Sequence, residues 1–283
     1  MQTVDPDRLG GVDLRIAVPR DQLPDAVLRL GLNQLPARRR TIHLLDETPR
    51  AANGSSALLA PLARQGVTIT LRTGGPSPEV TVRLQPVHTA RLSADWWNQP
   101  MDDEETLHLR QDWNGSRTTL FAALSAKVPP AQALSGRGSS IPPRPPSARP
   151  PFTRPDAELL TAHQRSLLRE IAGAGLPPEP TWLGPLDEQL WPLRAGGAEL
   201  TVRRWSTPGV PVAEPGPGRF DELELVRPAA LADAGFVRPV LVSLVRRLGL
   251  DPDSPAAPLP ERAAHRLSAE AAARDRRQDR GSS

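Results

Sequence analysis

The stretch RFDELELVRP (219–228) sets two carboxylates, Glu222 and Glu224, one residue apart. In an extended chain alternate side chains share a face, so Leu223 and Leu225 lie on one side and both glutamates on the other. Adjacent carboxylates repel, and in a dry site both stay ionised only if a cation or an arginine offsets them. The same division runs through the other alternating segments. Asp13 and Arg15 oppose Val12, Leu14 and Ile16. Arg72, with Thr68 and Thr70, opposes Val67, Ile69 and Leu71. Arg83, with Glu79 and Thr81, opposes Val80, Val82 and Leu84. His108 and Arg110 oppose Leu107 and Leu109, and Arg203, with Glu199 and Thr201, opposes Leu200 and Val202.

Two arrangements fit this pattern, and periodicity alone favours the first. One is an ordinary antiparallel sheet, apolar side on helices and polar side in water. The other is a closed barrel with its apolar face outward under helices and its charged face lining a channel. A channel with interspersed acids and arginines suits a polyanion that carries metal ions. Arginine forks bind phosphate oxygens in pairs, and carboxylates hold Mg2+ or Mn2+, which prefer hard oxygen ligands.

The elements that must position these residues read along the chain as follows. Strands are predicted over 12–18, 38–48, 67–73, 79–87, 106–113, 186–194, 198–206 and 219–226, and 117–128 is ambiguous between strand and helix. Helices are predicted over 20–32, 55–66, 156–175 (with Asp156 as cap) and 228–250, the last kinked or split by Pro239. The segment ALSGRGSSIPPRPPSARPPFTRP (133–155) reads as a flexible, polyproline-like linker. Residues 251–283, rich in Pro, Ala and Arg, read as a flexible tail, partly helical at most.

The chain has 283 residues, 38% hydrophobic and 24% charged, with 34 prolines and no cysteine. Disulfides and thiolate metal sites are therefore excluded. Net charge is +3 with a pI near 10.6, and Lys127 is the only lysine. No apolar run reaches membrane-span length, so a cytoplasmic protein without membrane contact is expected. Walker, dinucleotide-glycine, nucleophile-elbow and His-Glu zinc motifs are not present.

The ordered series GVDLR (11–15), HLLDET (43–48), GVTITLRTGG (66–75), EVTVRLQP (79–86), ELTVRRW (199–205) and FDELEL (220–225) resembles the CYTH superfamily, the triphosphate tunnel metalloenzymes. That group includes class IV adenylyl cyclases, thiamine triphosphatases and inorganic triphosphatases. The resemblance covers roughly residues 11–226. It implies an α+β fold: a closed antiparallel eight-stranded tunnel with a polar interior, flanked by helices. Residues 1–128 and 156–250 would form its two halves, with 129–155 a Pro-rich insertion and 251–283 a tail.

In the family's first-strand Glu-x-Glu-x-Lys motif, Gly11 stands at the first Glu, Asp13 at the second and Arg15 at the Lys. Thr70 replaces the first residue of the Arg-x-Arg strand and Arg72 keeps the second. Arg83 takes the basic position of the next strand, and face parity favours Arg203 over Arg204 later. Glu222 and Glu224 match the late Glu-x-Glu motif intact.

By resemblance, Glu222 and Glu224 would be the catalytic pair and, with Asp13, would hold Mg2+ or Mn2+. Arg15, Arg72, Arg83 and Arg203 would grip a small-molecule triphosphate or polyphosphate. If active, the protein would be a metal-dependent triphosphatase, hydrolysis ranking above cyclisation because nothing identifies an adenine pocket. The alternative is an inactive polyphosphate- or nucleotide-binding protein, or an adaptor using its basic Pro-rich and C-terminal segments; nucleic acid is disfavoured as a partner. The tunnel reading expects deletion of 251–283 to matter little.

Overall fold

The computed structural model describes residues 9–47, 60–87, 96, 101–115, 117–128, 159–173, 176, 180–195, 198–210, 220–252 and 256–281, with backbone alone at 195, 198 and 274–281. The predicted linker, most of the 55–66 helix start and Asp156 lie outside these residues. Nine strands are arranged as β1 (Val12–Val18), β2 (Arg38–Glu47), β3 (Val67–Thr73), β4 (Glu79–Leu84), β5 (Glu105–Asn114), β6 (Arg117–Lys127), β7 (Pro180–Ala195), β8 (Ala198–Ser206) and β9 (Asp221–Ala229). They close into a barrel in the order β1-β5-β6-β4-β3-β2-β7-β8-β9.

The expected eight-stranded antiparallel tunnel is thus corrected to nine strands of mixed direction. Every neighbouring pair is antiparallel except β1 and β5, which run parallel over Val12–Arg15 and Gln111–Asn114. The added strand is β6, the ambiguous segment. Ala122, Ala123 and Ala126 dilute its strand propensity, and its pairing with β4 and β5 overrides that.

Two apolar clusters coat the outside of the barrel. Val12, Leu14, Ile16, Trp191, Val202, Leu223 and Leu225 pack under α1 (Leu23–Arg29) and α4 (Ala234–Arg247). Helix α4 is continuous across Pro239, so the proline does not split it. Ile69, Leu71, Val80, Val82, Leu109 and Leu124 pack under α3, which starts at Ala162–Ser166 and runs on as π-helix through Leu167–Ala172. Thr161 caps α3 in a capping box with Gln164, satisfying two amides that the first turn leaves open.

The third cluster lies on the other face. Side chains paired directly across antiparallel strands point the same way. Trp205 pairs with Glu222 and Arg203 with Glu224, while Ile42 pairs with Arg72 and Leu186. Ile42, Leu186 and Trp205 therefore stand on the charged, inner face. They pack with Leu44, with Ala63 of the short α2 (Pro61–Arg64), and with Leu259, Ala263, Ala264 and Leu267 of α5 (Leu259–Gly281). The expected flexible tail is thereby corrected: its second part is a helix seated in one mouth of the barrel. The spacing 259, 263, 264, 267 is one helical stripe, and burial of each leucine contributes roughly 1.5–3 kcal/mol. Among the described residues no helix is long and apolar enough to cross a membrane.

Candidate functional site

The inner face carries a chain of shared ion pairs. Arg15 donates two hydrogen bonds to Asp112, from Nε to Oδ1 (3.0 Å) and from Nη2 to Oδ2 (2.7 Å). Its Nη1 lies 3.5 Å from Glu224 Oε2, whose other oxygen accepts from Arg203 at 3.2 Å. Arg203 Nε is 3.8 Å from Glu188 Oε1, and Glu188 Oε2 is 3.7 Å from Arg72 Nε. Arg72 Nη1 is 3.7 Å from Glu79 on β4. Arg83, also on β4, closes the circuit with Nη2 3.9 Å from Asp112. The belt passes β4, β5, β1, β9, β8, β7 and β3 before returning to β4. Thr81 extends it to β6, accepting from Arg72, donating to Glu79 and sharing a 2.9 Å hydrogen bond with Ser125.

Burial and charge oppose one another along this belt. Burial alone would lower the Arg15 guanidinium, but Glu224 and Asp112 outweigh it and hold Arg15 above its ordinary value. Burial would raise the Asp112 carboxyl; hydrogen bonds and charge from Arg15, with Arg83 and Gln85, hold it below the usual range. Arg83 is pushed down to about 10 by burial, against the pull of Asp112, and remains a cation at neutral pH. Its guanidinium sits 3.7 Å from the centre of the Phe121 ring. It also donates to Gln85 Oε1 at 2.7 Å, and Gln85 donates in turn to Asp112 and Thr119.

Five residues singled out in the sequence, Arg15, Arg72, Arg83, Arg203 and Glu224, meet in this belt. Of the two neighbouring arginines on β8, Arg203 is the one on the inner face, paired across from Glu224. Arg204 faces outward, fully buried, with two 2.7 Å hydrogen bonds to Asp221. Glu222 stands on the inner face but is ion-paired with Arg262 of α5. Asp13 accepts a 2.8 Å hydrogen bond from Arg110 Nε. In the β1–β9 ladder Asp13 pairs with Pro228 and Glu224 with Ala17, four residues apart and so about 13 Å along the strand.

The three expected metal ligands are therefore not brought together. Among the described residues, the one group of three His, Asp or Glu ligand atoms within 4.8 Å of one another is Asp102, Glu105 and His163, which is elsewhere. A divalent ion would have to displace Arg262 from Glu222, and Arg15 and Arg203 from Glu224. In this arrangement the trio does not fit Mg2+ or Mn2+, and no metal-borne step follows from it.

At Gly11, which the resemblance sets against a motif glutamate, the backbone leaves no room for a side chain. Its φ is +122°, and a Cβ there would meet the Ala229 carbonyl oxygen at 2.3 Å. No side chain stands at that point without moving β9.

Sequence reasoning missed four members of the site. Asp112 follows His108 and Arg110 at the same parity, so extending that alternation by one step finds it. Glu188 is flanked at equal parity by Leu186 and Leu190, which hides its face. Gln85 follows Arg83 at the same parity. Arg262 lies in the presumed tail. It is pushed down to about 10 by burial and by Arg15, and donates to the Ala257 carbonyl at 3.0 Å. That carbonyl also accepts from Arg15 at 3.3 Å, and Asn114 donates to the Ala256 carbonyl, so the α5 segment is fastened to the belt itself.

No protein-family model matches the chain, and no curated protein sequence matches it. Among solved structures, a candidate adenylate cyclase from Bacillus halodurans aligns over 89% of this chain and 96% of its own, at 10% identity and a TM-score of 0.48. A Hippeastrum candidate adenylyl cyclase with a dominant triphosphatase activity aligns over 87% and 91%, at 13% identity and a TM-score of 0.41. The PH1819 protein from Pyrococcus horikoshii aligns over 85% and 91%, at 8% identity and a TM-score of 0.35.

Proposed function

We propose that the barrel interior binds a linear polyphosphate, with inorganic triphosphate as the shortest candidate. The observation that carries this reading is the belt in which Arg15, Arg72, Arg83 and Arg203, from four strands, are held side by side through the shared carboxylates Asp112, Glu224 and Glu188. Four forks around one axis present donors to successive phosphoryl groups, and the shared carboxylates fix their rotamers in advance of the ligand. The inner ion pairs join six arginines (15, 72, 83, 110, 203, 262) to six carboxylates (13, 79, 112, 188, 222, 224). That set is formally neutral, so a polyanion enters either by trading places with carboxylates or with its own cations.

Binding is favoured over turnover by one observation: Glu222 and Glu224, the pair that would hold the catalytic metal, are already occupied by arginines. An adaptor role for a free C-terminal arm is disfavoured by the burial of Leu259, Ala263 and Leu267. The test combines thermal stabilisation by inorganic triphosphate, with and without Mg2+ or Mn2+, and phosphate release, for wild type and Glu222→Gln/Glu224→Gln. Stabilisation without release, retained in the double variant, is the expected result. Metal-dependent release lost in the double variant would move the assignment to a triphosphatase. No effect of triphosphate on wild type would overturn the ligand class.

A further inference from the structure

Glu105 opens β5 on the outer face, at the parity of Leu107 and Leu109 and away from the ionic belt. Its side chain is 2% exposed, and Oε2 lies 2.6 Å from His163 Nδ1. Oε1 is buried with no hydrogen-bond partner. Asp102 sits three residues back across a turn closed by the Glu105 amide donating to the Asp102 carbonyl at 2.8 Å. One ligand atom from each of Asp102, Glu105 and His163 lies within 4.8 Å of the other two. A solvated acidic turn beside a histidine would account for Asp102. It leaves the orphaned Glu105 oxygen unexplained, since a buried carboxylate lacking a partner is expensive.

A cation held by the three side chains would give the Glu105 carboxylate a second partner beside His163. The donor set, one imidazole nitrogen and two carboxylates, suits a borderline transition metal; Mg2+ and Ca2+ favour all-oxygen shells. The ligands stand on fixed elements. His163 lies in the first turn of α3, and its neighbour Gln164 is fully buried, donating to the Val80 and Leu124 carbonyls at 2.9 and 3.1 Å. We propose that Asp102, Glu105 and His163 form a zinc-class metal site that fastens α3 to the start of β5, independent of the barrel interior. Bound metal would stabilise the docking of α3 on the cluster around Leu167, Leu168 and Ile171.

The test uses the full chain, freed of metal by chelation and titrated with zinc chloride by calorimetry and thermal unfolding. Expected are one zinc per chain, a rise in Tm, and binding weakened about tenfold or more by His163→Ala or by Asp102→Asn. Asp102 is exposed, so the second variant guards against a folding defect. Binding should be unchanged in Glu222→Gln/Glu224→Gln. Zinc uptake that survives both single variants, or that disappears in the inner-face double variant, overturns the assignment, as does the absence of any zinc effect on wild type.

Discussion

Glu224 joins Arg15 to Arg203 while its side chain is only 1% exposed, and Glu224→Gln therefore separates two accounts of the belt. The substitution keeps the shape and an acceptor but removes the charge. Removing one partner of a buried pair costs about 3–5 kcal/mol. Here the loss is smaller, because Arg15 keeps two hydrogen bonds to Asp112. Arg203 is also about a quarter exposed, at 27%, and so partly screened. About 2–3 kcal/mol of destabilisation is expected. For a domain of this size that lowers Tm by about 4–12 °C, measured by calorimetry. The interior also becomes one charge more positive, so metal-free stabilisation by inorganic triphosphate should grow. If Glu224 instead serves chiefly as a metal ligand, the triphosphate response should fall with the variant. A Tm within 2 °C of wild type, or a weaker metal-free response, would refute the reasoning.

Three further outcomes follow from single features. His43 is buried on the outer face and pushed down to about 4 by that burial; the unfolded imidazole takes up its proton near 6.5. Stability should fall by about 3 kcal/mol as pH drops from 6.5 to 4, and urea unfolding of His43→Leu should lose that slope. Gly11→Glu should destabilise by several kcal/mol through collision with the Ala229 carbonyl; a variant with wild-type Tm would contradict this. A chain ending at Asp251 should lose substantial stability and show red-shifted tryptophan emission, because Trp205, fully buried beneath α5, would meet water. An unchanged emission maximum would count against the seat assigned to α5, and would restore the expectation that this deletion matters little.

The inner and outer faces of the strands were legible where one face is uniformly apolar, though alternation alone did not tell a closed barrel from an open sheet. In β1, β3, β4, β8 and β9 strict alternation identified the outer residues and left the inner arginines and Glu224 as the remainder. Legibility failed where the inner face is itself part apolar. Leu186, which packs against α5, and Leu190 flank Glu188 at equal parity, so period two carries no contrast there. Asp46 was likewise unread: burial raises its carboxyl, while the amides of Glu47 and Leu62 donate to it, a tertiary arrangement with no local signature. In the C-terminal segment, proline and arginine content masked a short stripe of small and branched residues whose partners, among them Ile42, Ala63, Leu186 and Trp205, stand on other elements far back along the chain. The site's pairings were unreadable for the same reason: Arg15 and Asp112 are 97 residues apart, and only the closure of the ring brings them together.

Strand number itself fixes where that ring is seamed. Directions can alternate all the way round a cylinder only when the strands are even in number; with nine, two like-directed neighbours must meet somewhere, and they are β1 and β5. Their ladder registers four residue pairs, fewer than any other junction of the barrel. Side chains span the junction instead: Arg15 crosses to Asp112, and Arg110 crosses back to Asp13 and to the carbonyls of Gly10 and Val12. Along this one line the backbone ladder is shortest, and two ion pairs, Arg15 with Asp112 and Arg110 with Asp13, help to hold the wall shut.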